Sequence, residues 1–161
     1  MARQGTRRPA VLAWLRLVRV WSHVNRATQE RLRDWDLNVA QFDVLAHVGA
    51  AEGISQQTLA DALLVSKGNV CQLLNRMERG GLIARCPEGR TNCLYLTEAG
   101  RLLYEQVVPA HECQLNALLS PLSLQEQRIL LQLLHKLERG LRAPADPSPT
   151  HPSASAVAQH E

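Results

Sequence analysis

"VSKGNVCQLLNRMERGGL", Val65 to Leu82, is the stretch that decides the fold. On a helical wheel Val70, Leu73, Leu74 and Met77 fall on one side and form a core-facing stripe. The other side carries Gly68, Asn69, Cys71, Gln72, Asn75 and Arg76, where an ordinary solvated helix would carry Glu and Lys. Amides offer donor and acceptor together, the combination that reads adenine edges, and arginine pairs with guanine or with phosphate. Gly68 lets the helix N-terminus approach a phosphate backbone, where Ser66, Lys67 and free backbone amides favour an anion. A polar, merely solvated face is the competing reading, so the neighbouring segments must decide.

Upstream, Ser55 is placed to cap "QQTLADALL" and Ser66 to cap the helix just described, with only Leu64 and Val65 between them as a turn. Downstream, Gly80 and Gly81 can supply left-handed backbone at the helix end. Then "LIAR" and "CLYLT" flank "CPEGRTN", whose Pro-Glu-Gly centre predicts a tight turn in a two-stranded hairpin. Helix, tight turn, helix and hairpin is the order of a winged helix-turn-helix, whose second helix enters the major groove.

Outward from this unit, Asn38 with Gln41 predicts a reciprocal cap for "VAQFDVLAHV", stopping at Gly49. From Pro9 a helix can begin, and Val11, Trp14, Leu15, Val18 and Trp21 recur on one face. Trp35 continues the seven-residue spacing of Trp14 and Trp21, which carries that face to about Trp35 in an unbroken helix. Thr97 leads a long helix in which Pro109 predicts a kink. Ser123 with Glu126 boxes a last helix striped by Leu130, Leu133, Leu134, Leu137 and Leu141. The expected fold is therefore mainly α with a small β-hairpin wing. One domain spans 9–142, with a winged lobe at 38–97 and dimerisation helices at 9–35 and 98–142. A mobile basic arm, 1–8, precedes it, and the Pro-, Ala- and Ser-rich 143–161 reads as a disordered tail.

Charge is uneven along the 161 residues although the net charge is only +3. Residues 1–35 hold eight arginines against Glu30 and Asp34, residues 36–66 hold four acids and no Lys or Arg, and residues 67–90 are basic again. Selected basic surfaces suit phosphate contact better than a uniformly sticky protein does. No signal-peptide pattern and no apolar run of roughly 20 residues is present, which predicts a cytoplasmic protein with no membrane partner. Cys71, Cys86, Cys93 and Cys113 lack zinc-site spacing and are expected to be thiols. His111 and Cys113 lie two apart and so point to different sides of a helix, which argues against a metal. There is no phosphate-cradling glycine loop, no nucleophile elbow and no paired-carboxylate constellation, so neither catalysis nor a cofactor is expected.

The run from "LNVAQFDVLAHV" through "ISQQTLADALLVSKGNVCQLLNRMERGGLIAR" to "LYLTEAGRLL" resembles the MarR family of bacterial transcription regulators, over Leu37 to about Leu103. The resemblance implies a homodimer in which the first and last helices of both subunits intertwine and hold two lobes over a pseudo-palindromic operator, more often as a repressor. Two amphipathic arms that a small lobe cannot cover point the same way. The outward face of the second helix makes Ser66, Lys67, Asn69, Gln72 and Arg76 the expected DNA contacts. Family wings carry an Asp-Arg-Arg element, and matching backward from "LYLT" puts Glu88 on the acid, Gly89 on the first arginine and Arg90 on the second. Arg90 inherits the minor-groove or phosphate role, with Arg85 and Asn92 as helpers, and the single remaining arginine implies a weaker wing contact.

Family effectors include small aromatic acids, oxidants and metals. Trp14, Trp21, His23, Arg26 and His47 are the candidate wall or anion-binding residues for a small aromatic or anionic effector. Seam packing by the tryptophans and a structural role for each histidine compete with that assignment. The family's oxidant sensors keep a reactive cysteine in the first helix, whereas here none precedes Cys71, which would obstruct DNA if modified. The alternative function is a winged-helix protein-interaction module without DNA binding, favoured by the trimmed wing and by the acidic stretch 36–66.

Overall fold

The computed structural model describes residues 8–89 and 91–142. The basic arm apart from Arg8, the tail and the candidate Arg90 lie outside the described residues. The described chain divides into two compact units between Leu119 and Ser120.

The first unit opens with α1, Pro9–Leu32, whose Pro9 occupies the first turn. The helix stops three residues short of Trp35. A 3-10 turn at Arg33–Trp35 tightens the chain, Asp36 takes left-handed backbone at φ 55°, and the Leu37 N–H closes back on the Leu32 carbonyl at 3.1 Å. Trp35 thereby leaves the α1 stripe and packs on the lobe core, with the Arg31 guanidinium 5.1 Å from its ring centroid. Burying an indole outweighs one more helical turn.

Asn38 and Gln41 make the expected reciprocal cap of α2, Val39–Ala50. Ser55 caps α3, Gln56–Leu63, by accepting from the Thr58 N–H at 3.0 Å. Ser66 caps α4, Lys67–Arg79, by accepting from the Asn69 N–H at 3.3 Å. Between α3 and α4, Leu64 sits at φ 54° with its side chain 84% exposed. This turn requires left-handed backbone, and a leucine supplies it at a steric cost.

The wing is larger than the two-stranded hairpin that the sequence suggests. β1 (Ile54–Ser55), β2 (Ile83–Glu88) and β3 (Thr91–Leu96) form an antiparallel sheet in the order β1-β3-β2. The expected turn over "CPEGRTN" shrinks, because Cys86, Pro87 and Glu88 pair with Cys93, Asn92 and Thr91, and the reversal falls at Gly89, φ 62°. Pro87 is accommodated because β2 is an edge strand.

Thr97 caps α5, Glu98–Leu118, which continues through Pro109. Two glycines set how closely α5 packs. A Cβ at Gly49 of α2 would run into the Tyr104 ring, and one at Gly100 would overlap the Leu82 carbonyl. The core that results joins Leu32, Phe42, Leu45, Val48, Leu59, Val70, Leu74, Met77, Ile83, Leu94 and Val107, all almost fully buried.

The second unit is built on α6, Leu124–Arg142. Ser123 and Glu126 cap each other: the Ser123 N–H donates to Glu126 Oε2 at 2.8 Å and the Glu126 N–H donates to Ser123 Oγ at 3.4 Å. Eight large apolar side chains of α6 are exposed, Leu133, Leu137 and Leu141 among them, and so are eight of α1, including Trp14 and Trp21. Among the described residues no helix is long and apolar enough to cross a membrane.

Candidate nucleic-acid interface

Helix α4 divides as its sequence pattern requires. Val70, Leu74 and Met77 are buried, whereas Lys67, Gly68, Asn69, Cys71, Gln72, Asn75 and Arg76 are exposed. Along the exposed side the bonding is unequal. Among the described residues the side chains of Lys67, Asn69, Gln72 and Arg76 have no hydrogen-bond or ion-pair partner, while Ser66 caps the helix that they stand on. A Cβ added at Gly68 would meet nothing within 4 Å, so the fold does not demand glycine there and the space stays open to a ligand. Asn69, Gln72 and Arg76 line one side of a cleft of about 270 Å³ against Ala40 and Asp43 of α2. Lys67 borders a second cleft of about 200 Å³ together with Ser55, Thr91 and Asn92. The predicted contact residues of α4 therefore run along its exposed side from Ser66 at the cap to Arg76, and Asn92 brings the wing to the edge at Lys67.

Asn75 and Arg85 behave otherwise. Arg85 Nη1 donates to Asn75 Oδ1 and to Glu78 Oε2, both at 2.7 Å, and Nη2 donates to the Cys71 carbonyl at 3.3 Å. The Arg85 backbone N–H adds a bond to Glu78 Oε1 at 3.3 Å. With its side chain only 16% exposed, Arg85 is a brace from β2 to α4 and not the helper to the wing contact that the sequence suggested. Strand alternation carries the signal: Arg85 shares the face of Ile83, which is core-facing. At the wing end, Tyr95 O–H donates to Glu88 Oε1 at 2.7 Å, and this bond, more than burial, pushes the tyrosine up to about 12. Glu88 thus holds the hairpin rather than facing solvent alone.

The effector candidates are not brought together. Trp14 and Trp21, with Leu17 and Val18, line an apolar groove along α1 that neither His23, Arg26 nor His47 borders. His23 and Arg26 are not buried, and His47 Nδ1 lies 2.8 Å from the Asp43 carbonyl one turn back on its own helix. The polar seam between α1, α2 and α5 is made by other residues. Thr28 Oγ1 lies 3.3 Å from His111 Nε2, the His111 ring tilts against Phe42 at 4.5 Å between centroids, and Gln114 Nε2 donates to the Ala27 carbonyl at 2.9 Å. Burial pulls His111 below the ordinary histidine value and pushes the Asp43 carboxyl up, each partly offset by the other's charge. Among the described residues no group of three or more His, Cys, Asp or Glu is placed to hold a metal.

This architecture has relatives. The family model described as MarR family matches residues 35–91. A curated HTH-type transcriptional regulator of Bacillus cereus is 33% identical over 129 residues, 80% of this chain and 88% of that protein. The chain belongs to the MarR family. Among solved structures, the Staphylococcus aureus MepR–DNA complex is 26% identical with TM-score 0.72, covering 80% of this chain and 98% of that one. A cysteine-to-serine mutant of Escherichia coli MarR complexed with operator DNA is 27% identical with TM-score 0.71, covering 80% of this chain and 95% of that one. The MarR lobe thus carries the exposed, partnerless polar face described above.

Proposed function

We propose that this MarR-family chain is a sequence-specific double-stranded DNA-binding transcription regulator, acting as a cytoplasmic homodimer on a pseudo-palindromic operator and repressing by competition with polymerase. The observation that carries the reading is the set of partnerless side chains on α4, Lys67, Asn69, Gln72 and Arg76, beside a neighbour, Arg85, whose Nη donors are turned inward. Donors and acceptors left unused on one face of a helix that the core fixes in place suit base edges and phosphates. Lys67 and Arg90 serve phosphate or the minor groove, Gln72 and Asn69 serve bases, and Arg76 serves either.

Homodimerisation is supported by the sixteen large apolar side chains exposed on α1 and α6, which a second copy of each helix would bury. Response to a small aromatic or anionic effector is the family's habit, and a pocket for it would be completed by the dimer. The test is fluorescence anisotropy on the intergenic duplex beside the chain's own gene. Gln72→Ala changes the preference between duplexes, whereas Arg90→Ala weakens every duplex alike and lowers the salt slope by about one. Equal losses on specific and scrambled DNA for both variants would contradict the division of roles.

A further inference from the structure

On the wing, Cys86 of β2 stands directly opposite Cys93 of β3. Directly opposed residues of antiparallel strands project from the same face of the sheet. The kind of pair follows from its neighbours. Gly53 N–H donates to the Leu94 carbonyl at 2.9 Å, so Leu94 turns its peptide groups toward β1 and Cys93 turns its own toward β2. Pro87, which lacks an N–H, accordingly faces Asn92 at a position that calls for no donor. Cys86 and Cys93 are therefore a hydrogen-bonded pair, with Cα atoms about 5.5 Å apart, inside the roughly 4.4–6.8 Å that a disulfide bridges. Cys86 is exposed and Cys93 is 7% exposed. Burial and the adjacent Glu88 carboxylate raise the Cys93 thiol, which leaves the accessible Cys86 as the sulfur that reacts first.

We propose that Cys86 and Cys93 are a redox-active dithiol that low-molecular-weight disulfides oxidise to a cross-strand disulfide, and that its closure weakens the hold of the wing on DNA. The Cys86 thiol gives its proton to water, and its thiolate attacks one sulfur of the reagent. The reagent S–S bond breaks, one reagent thiolate leaves and takes up a proton, and a mixed disulfide remains on Cys86. Cys93 then loses its proton, its sulfur attacks Cys86 Sγ, and the second reagent thiol departs. Two protein thiols are oxidised and one reagent disulfide is reduced to two thiols. Cβ atoms of a hydrogen-bonded pair lie about 5.5 Å apart, whereas a disulfide holds them at about 3.8 Å, so β2 and β3 must draw together next to the turn whose sequence carries Arg90.

The DNA half of the proposal rests on the function proposed above, and the thiol chemistry does not. Full-length protein is incubated with oxidised glutathione at mildly alkaline pH, quenched in acid, digested without reduction and mapped by mass. The expected result is a linked peptide joining Cys86 to Cys93, lighter than the reduced pair by two hydrogens. Affinity for the intergenic duplex is expected to fall about tenfold, to recover with dithiothreitol, and to stay unchanged by glutathione in Cys86→Ser. Glutathione persisting on Cys86 with no linked peptide would overturn the dithiol. A linked peptide with unchanged affinity, or an equal loss in Cys86→Ser, would overturn its control of the wing. If neither redox state binds DNA, the functional reading fails while the linked peptide still decides the chemistry.

Discussion

The winged lobe and the arm helices are assembled from the same kind of amphipathic helix, yet their apolar stripes end in opposite environments. In the lobe, the stripes of α2, α3 and α4 meet one another and the sheet, and Val44, Leu45, Val48, Leu59, Val70 and Leu74 are almost wholly excluded from water. On α1 and α6 the stripes stay open, with Trp14 62% and Leu137 51% exposed. Each fully buried large apolar side chain contributes about 1.5–3 kcal/mol, so the lobe can hold itself together while the arms leave most of that stabilisation unrealised until another surface arrives. A similar contrast separates the polar residues. Arg85 bonds to Glu78 and Asn75 within the lobe, whereas Lys67, Asn69, Gln72 and Arg76 have no side-chain partner among the described residues. Uncovered groups, apolar or polar, mark where the molecule meets something else.

The largest effect is expected where the open stripe is made polar. Leu133→Asp with Leu137→Asp should halve the mass measured by light scattering and lower operator affinity at least about a hundredfold, because two linked lobes bind as one. Retention of dimer mass would remove α6 from the seam.

Within the closed lobe, Gly100→Ala should cost about 2–3 kcal/mol, read from the urea midpoint, since its Cβ meets the Leu82 backbone rather than a flexible side chain. A neutral result would mean that the lobe is looser than its contacts imply.

Arg85→Met should cost about 1–2 kcal/mol of stability and lose more affinity on the specific duplex than on a scrambled one, because the brace holds α4 in register with the wing. Equal losses on both duplexes would return Arg85 to a direct phosphate role.

The smallest effect, and one of opposite sign, belongs to Leu64→Gly. Relief of left-handed backbone at a side chain that buries almost nothing should stabilise the protein by about 1 kcal/mol, raising the thermal midpoint by a few degrees. An unchanged or lowered midpoint would show that Leu64 contributes packing that its exposure does not reveal.

What was legible in the sequence was local. The caps at Asn38, Ser55, Ser66, Thr97 and Ser123 all form, because each depends on residues three positions apart. The buried and exposed sides of α4 follow from one periodicity. β1 was invisible because two residues, Ile54 and Ser55, carry no alternation, and it exists only through pairing with Leu94 and Cys93. β2 outran its expected length because an edge strand tolerates Pro87, a tertiary fact. Trp35 left the α1 stripe because the lobe core competes for it, and Arg85 was misread because its partners lie on another element. Sequence spacing does not relate the effector candidates either: within one chain Trp14 and Trp21 line a groove along α1, whereas His47 bonds back to its own helix α2.

The most direct test of the contrast between closed lobe and open surfaces is stoichiometric titration of the full-length protein onto the intergenic duplex, followed by anisotropy at two salt concentrations against a scrambled competitor. Two chains per duplex, with the preference for the native sequence surviving the higher salt, is the predicted result. One chain per duplex, or a preference that vanishes with salt, would contradict the assignment of the arms to a second copy or of the α4 face to base readout.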